Sequence, residues 1–145
     1  RVSESPRLPR PKPTPSRDSA FFWEGVSEGK LLAQQCSNCN ALRHPPRPMC
    51  PSCGSTQWEA LTLSGHGTVH SWIEPVHPKL PFFEEPLLVA LIDLEEGPRL
   101  LSNLCDVKPE DVTTGMEVEV FFVPSEPGAK EDQPVHQFRP RKASR

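Results

Sequence analysis

The alternation of apolar and polar positions divides the chain into a short amphipathic opening, a polar cysteine-bearing middle and a series of strand-like segments. In "DSAFFWEGVSEGKLLAQQ", Phe22 and Val26 stand four residues apart and share a helical face. Asp18 is a candidate cap and Gly29 a candidate stop, so a short helix is expected, with a strand over 30–35 after it. Beyond Gly65 the period drops to two. "GTVHSWIEPV" sets Val69, Ser71 and Ile73 against His70 and Trp72. "PLLVALIDLEEG" is an apolar run closed by an acidic turn at Gly97, and "PRLLSNLCDV" returns from it as a hairpin partner. "TTGMEVEVFFVP" places Met116, Val118, Val120 and Phe122 on one face and Glu117 and Glu119 on the other. "PVHQFRP" supplies a last short strand, and "KPEDVTTG" has room for one helical turn before the fourth. Five strands with a helical turn after the third, and no long helix, predict a mainly β fold: a closed Greek-key barrel of the OB type.

Composition changes the picture at the ends. Nineteen prolines in 145 residues are a strong excess, and five of them fall between Pro6 and Pro15. That stretch has too few apolar residues to offset the entropy of ordering, so residues 1–17 are expected to be a flexible extended linker. The expected organisation is therefore linker 1–17, helix and ribbon 18–64, OB-fold 65–140 and a basic flexible tail 141–145. The net charge of −3 conceals an asymmetry: between 18 and 136 there are seven basic and eighteen acidic residues, a formal −11. No run approaches the roughly 20 apolar residues of a membrane span, and the start lacks a signal-peptide core. A cytoplasmic protein with no membrane contact is the expectation.

The middle segment carries the most specific chemistry. "CSNCNALRHPPRPMCPSC" holds two Cys-x-x-Cys pairs, Cys36 with Cys39 and Cys50 with Cys53, ten residues apart. An odd total of five cysteines without a secretion signal argues against a disulfide frame. Two matched pairs predict a closed four-thiolate metal site of the zinc-ribbon type; zinc is the expected ion and iron the alternative. Asn40 and Gly54 follow the two pairs and suit the left-handed backbone that such knuckles require. His44 reads as an exposed loop histidine, and Cys105, on an apolar run, as a buried strand residue.

Candidate contact residues are aromatic. Phe21, Phe22 and Trp23 either pack on the ribbon or barrel or face a partner. In "PVHPKLPFFEEP", four prolines exclude a regular central strand, and of the adjacent Phe82 and Phe83 only one readily points inward. The other is a candidate partner anchor. His66, His70 and His77 cluster in one strand region, but no neighbouring residue completes a catalytic set; His66, between two glycines, reads as a turn residue.

The order "FFWEG…GKL", then "PPRPMCPSCGS", then Trp58 and "SGHGTV" resembles the zinc-ribbon and OB-fold family that accompanies acyl-CoA enzymes, over about residues 18–140. Asn40 departs from the glycine usual after the second cysteine. The resemblance implies a rubredoxin-like zinc ribbon and a non-catalytic accessory role beside a thiolase or thiolase-fold aldolase that cleaves a steroid side-chain CoA ester by retro-aldol chemistry. It also implies that the acyl-CoA lies near the interface and that a hot-dog-fold hydratase domain stands upstream of the proline-rich segment. Two alternatives remain beside it. One is a single-stranded nucleic-acid binder, which the acidic body opposes; the other is an independent acyl-CoA enzyme, for which positioned acids and bases are lacking.

Overall fold

A computed structural model describes residues 10–78, 81, 83 and 86–142 of the chain. The first nine residues of the expected linker, the last three of the tail and Phe82 lie outside the described residues.

Helix α1 spans Ala20–Ser27 and buries Phe22, Gly25 and Val26. Its start differs from expectation: Ser19, not Asp18, occupies the N-cap. The Ser19 carbonyl accepts from the Phe22 and Trp23 amides at 3.0 and 3.2 Å. Ser16 and Ser19 exchange backbone-to-hydroxyl bonds at 2.9 and 3.2 Å, so the turn closes through the serines and Asp18 is bypassed. The stop is as expected. Gly29 has φ 76, and the Lys30 amide reaches back to the Gly25 carbonyl at 2.8 Å while the Gly29 amide bonds Val26 at 3.0 Å. This is the Schellman arrangement, in which glycine takes the left-handed position without a Cβ penalty.

The ribbon is a three-stranded sheet of β1 (Leu32–Cys36), β2 (Leu42–Arg43) and β3 (Trp58–Thr62), in the order β2-β1-β3. Strand β3, in "WEALTL", was not foreseen; its apolar spacing fits a helical turn as readily as a strand, and only its antiparallel register from Leu32↔Thr62 to Cys36↔Trp58 decides it.

The remaining strands are β4 (His66–Ile73), β5 (Val89–Leu94), β6 (Arg99–Leu104), β7 (Glu117–Val123) and β8 (Val135–Pro140). They close a barrel in the order β4-β5-β6-β8-β7, and β7 returns to β4. Among the described residues only the β6–β8 pair is parallel, and a 3₁₀ turn, Pro109–Asp111, separates β6 from β7. That is the five-stranded OB-fold. Strand β7 keeps its expected phase, with Val118 buried and Val120 and Phe122 packed against the core. Strand β4 does not. Its register with β5 shifts between Val69 and Ser71, so His70 is an extra residue and the pattern reverses beyond it. Val69 is buried, but beyond the shift Trp72 packs inward and Ile73 faces solvent. His66 begins β4, paired with Glu119, and is not a turn residue. Cys105 lies just past the end of β6 and is only half-buried, because the strand stops at Leu104.

One core unites the two parts: Phe22, Val26, Leu31, Ala33 and Leu63 join Val69, Ile92, Leu100, Val118 and Phe138 in a single cluster. The approach segment does not stand clear of it. Lys12 donates to the Glu131 carbonyl at 2.8 Å and lies 3.5 Å from the Glu126 carboxylate, and the Arg10 guanidinium sits 4.9 Å above the Phe83 ring. Lys12 thus meets the acidic loop between β7 and β8, and Arg10 the loop between β4 and β5.

Candidate metal centre and contact surfaces

The two knuckles are built alike. The Asn40 amide bonds the Cys36 carbonyl and the Gly54 amide bonds the Cys50 carbonyl, both at 2.9 Å. Asn40 has φ 63 and Gly54 φ 77, the left-handed backbone expected of both positions. The strand β1 delivers Cys36 to the first knuckle, and the Cys36 amide is tied to the Ala41 carbonyl at 2.9 Å; the Cys50 amide is tied to Ser55 at 2.8 Å. The four Sγ atoms of Cys36, Cys39, Cys50 and Cys53 all lie within 4.8 Å of one another. Cys36 and Cys53 are 3.5 Å apart and Cys39 and Cys50 3.6 Å apart. A tetrahedron with metal–sulfur bonds of about 2.3 Å has edges of about 3.8 Å, so the four thiols fit such an ion.

Electrostatics favour thiolates at the knuckle bases. The Cys39 backbone N–H points at the Cys36 sulfur at 3.5 Å and draws that thiol down to about 6, against the opposing effect of burial. Cys50 is lowered in the same way by the Cys53 and Ser52 amides. Cys36 and Cys50 are buried while Cys39 and Cys53 face outward, and an ion held by all four would have no open position for substrate.

The aromatic residues divide by burial. Phe22 is only 4% exposed and belongs to the core, so it offers no free surface to a partner. Phe21 leans on Trp58 with centroids 4.6 Å apart, and Trp23 meets Phe22 edge-on at 5.1 Å. Phe83 is half-buried. His44 is not an exposed loop residue: it packs 5.5 Å from the Phe22 ring, and burial lowers its pKa. The loop that carries it is held by Gln34, whose Oε1 accepts from Arg43 Nε and from the Arg47 amide, each at 2.8 Å.

Sequence reasoning passed over His136. Its ring lies 5.3 Å from Phe22 and 5.9 Å from Trp23, at the meeting point of helix, ribbon and barrel. Burial pushes it down to about 4, with a hydrogen bond to the Leu101 backbone opposing and His44 adding repulsion. Its Nδ1 is buried without a partner among the described residues. The one available signal was its place in an alternating strand beside Val135 and Gln137. His66 and His70 stay apart from this junction: His70 Nδ1 is 3.2 Å from Asp93, which Arg99 also engages at 2.6 Å, and His66 Nδ1 is 3.9 Å from Glu95. Arg99 holds the Asp93 carboxyl below its usual range. Among the described residues no helix is long and apolar enough to cross a membrane.

Fold and site together define a four-cysteine ribbon joined to an OB barrel. The family descriptions that match are "ChsH2, rubredoxin-like zinc ribbon domain" over residues 23–59 and "ChsH2, C-terminal OB-fold domain" over residues 61–123. The chain is 40% identical over 126 residues to a "probable enoyl-CoA hydratase alpha subunit" of Thermomonospora curvata, matching 87% of this chain and 40% of that one. It is 38% identical over 112 residues to the "3-oxo-4,17-pregnadiene-20-carboxyl-CoA hydratase alpha subunit" of Mycobacterium tuberculosis, 77% of this chain and 36% of that one. The chain thus spans 40% and 36% of the length of these two subunits. A "DUF35 domain-containing scaffold protein" of Methanocaldococcus jannaschii is 39% identical over 103 residues, 69% of this chain and 73% of that protein. Among solved structures, the "Ltp2-ChsH2(DUF35) aldolase" superimposes with TM-score 0.82 at 40% identity, covering 89% of this chain and 98% of that one. This chain belongs to the ChsH2/DUF35 family.

Proposed function

We propose that this chain is a non-catalytic accessory domain that seats a thiolase-fold aldolase or thiolase and forms part of the wall of its acyl-CoA channel. The observation that carries the reading is the match, at 40% identity, to nearly the whole ChsH2 chain of a solved aldolase complex. In the proposal zinc fills the four-cysteine site and fixes the ribbon, and the partner supplies the catalytic groups for retro-aldol cleavage of a steroid side-chain CoA ester. The names of the two longer relatives support a hydratase domain upstream. The loop with Phe83, and Phe82 outside the described residues, is proposed to contact the partner, together with the outer edges of Phe21 and Trp23.

The independent-enzyme alternative has little to draw on: the His70–Asp93–Arg99 group lies on the outside of the barrel, and His136, half-buried where helix, ribbon and barrel meet, has its pKa pushed down by burial and is held neutral. The acidic body likewise opposes nucleic-acid binding. The test is co-expression of the full chain with a thiolase-fold aldolase, followed by size exclusion and a cleavage assay. One stable complex, with aldolase turnover only when both chains are present, is expected. Separate elution and a fully active partner alone would overturn the reading.

A further inference from the structure

In OB-folds the outside of the second and third strands, flanked by the loops after the first and fourth, is the surface on which ligands are bound. Here those strands are β5 and β6, and the flanking loops run over 74–88 and 124–134. The register shift at His70 changes what this face presents. With unbroken alternation Ile73 would point inward with Val69; the extra residue turns Trp72 inward and leaves Ile73 63% exposed. Ile73 pairs with Val89, and the adjacent row runs Ser71, Leu91, Leu101 across three strands. Leu101 is 59% exposed, and Val76, just past β4, is 68% exposed. Leu101 also lies beyond the β6–β8 ladder, whose register covers Asn103 and Leu104. Scattered exposed aliphatics need no explanation, but a contiguous set on one sheet face marks an interaction surface.

We propose that this outer face of β4, β5 and β6, centred on Ile73 and Leu101, is the seat of the thiolase-fold partner; the inference rests on the accessory reading above. Its anatomy is that of a protein interface, an aliphatic centre inside a polar rim. The rim is formed by the His70–Asp93–Arg99 group on one side and by exposed Glu74 and Asp106 on the other. The same features select the occupant. Single-stranded nucleic acid needs cations and stacking rings; here Arg99 is already engaged by Asp93, and Trp72, the aromatic of β4, packs inward. A second copy of this chain would bring two bodies of formal −11 together. A different protein, with an apolar centre and Lys or Arg facing Glu74 and Asp106, satisfies both the shape and the charge of the face.

The test uses the full chain with its co-expressed thiolase-fold partner and the variant Ile73→Glu with Leu101→Glu. Both side chains are exposed, so metal content and melting temperature should stay near those of the wild type while calorimetry shows Kd raised at least a hundredfold. Leu101→Ser alone, a milder change that folds if the double variant does not, should raise Kd about tenfold. Glu59→Lys, on the exposed side of β3, should bind as the wild type does. Folded variants with unchanged Kd overturn the surface assignment while leaving the accessory reading intact. Failure of the wild-type chain to bind overturns that reading and the proposal with it. Sedimentation showing a wild-type dimer lost in Leu101→Ser, or single-stranded DNA binding lost in the same variant, assigns the face to another occupant and overturns the proposal.

Discussion

Cys36 and Cys50 lie buried at the bases of the knuckles, each with backbone amides aimed at its sulfur, and Cys39 and Cys53 close the set from the solvent side. The binding energy of such a site is folding energy, about 10 kcal/mol or more in isolated zinc peptides. Cys36→Ser is therefore expected to lower the metal content well below one ion per chain and to cost melting temperature and partner binding together; Cys53→Ser should do the same. Elemental analysis beside a thermal melt checks this, and a double variant that stays folded and binds the partner would refute a structural role. Zinc itself is tested by the spectrum: a red protein with thiolate-to-iron absorption would replace it with iron. His136 yields a pH prediction. Its folded-state value, about 4, is below the ordinary 6.5, so the unfolded chain takes up the proton first on acidification. The neutral ring's contribution to stability is complete above about pH 6.5 and is lost as the pH falls toward 4, at up to about 1.4 kcal/mol per pH unit. His136→Phe should flatten the acid limb of melting temperature against pH between 6.5 and 4. An identical slope in the variant would show that another group drives it.

At the scale of elements, the segment from Arg10 to Arg17 and helix α1 act together. Lys12 meets Glu126 across an exposed pair worth about 1 kcal/mol or less. Ser16 matters more, because its carbonyl takes the Ala20 amide at 2.9 Å and its hydroxyl pairs with Ser19 at the same distance. Deleting residues 1–13 should thus lower the melting temperature by about 2 °C or less, whereas deletion through Arg17 should cost several degrees more, because the helix start is worth about 1 kcal/mol. Equal losses in the two truncations would remove Ser16 from the account. This part of the chain was only half legible in sequence. Its proline content marks extended backbone correctly, but whether an extended basic segment floats or docks depends on where the barrel places Glu126, Glu131 and Phe83.

At the scale of the whole molecule, the ribbon and the barrel share a core, with Phe22 and Leu63 in the same cluster as Leu94 and Leu100. Melting should therefore be a single transition. Removal of the metal with a strong chelator should lower that transition as a whole, followed equally at Trp58 in the ribbon and Trp72 in the barrel. Two separate transitions, with only the ribbon shifted by chelation, would show that the parts fold independently.

What the sequence alone determines here is whatever local chemistry dictates: four thiols at fixed spacing, left-handed positions after each pair, a glycine stop for the helix and period-two strands in an order that only a few closed sheets accommodate. Strand β7 was readable for that reason, since a buried face must alternate with an exposed one. Contacts between distant segments were decided by the tertiary structure alone. The extra residue at His70 is invisible in composition, yet by reversing the phase of β4 it sends Trp72 to the core and Ile73 to the surface. His44, Phe22 and His136 come together only because the helix packs where the ribbon meets the barrel. Side-chain pattern follows from a strand's own period, but which face is inside depends on register, and register belongs to the pair of strands rather than to either one.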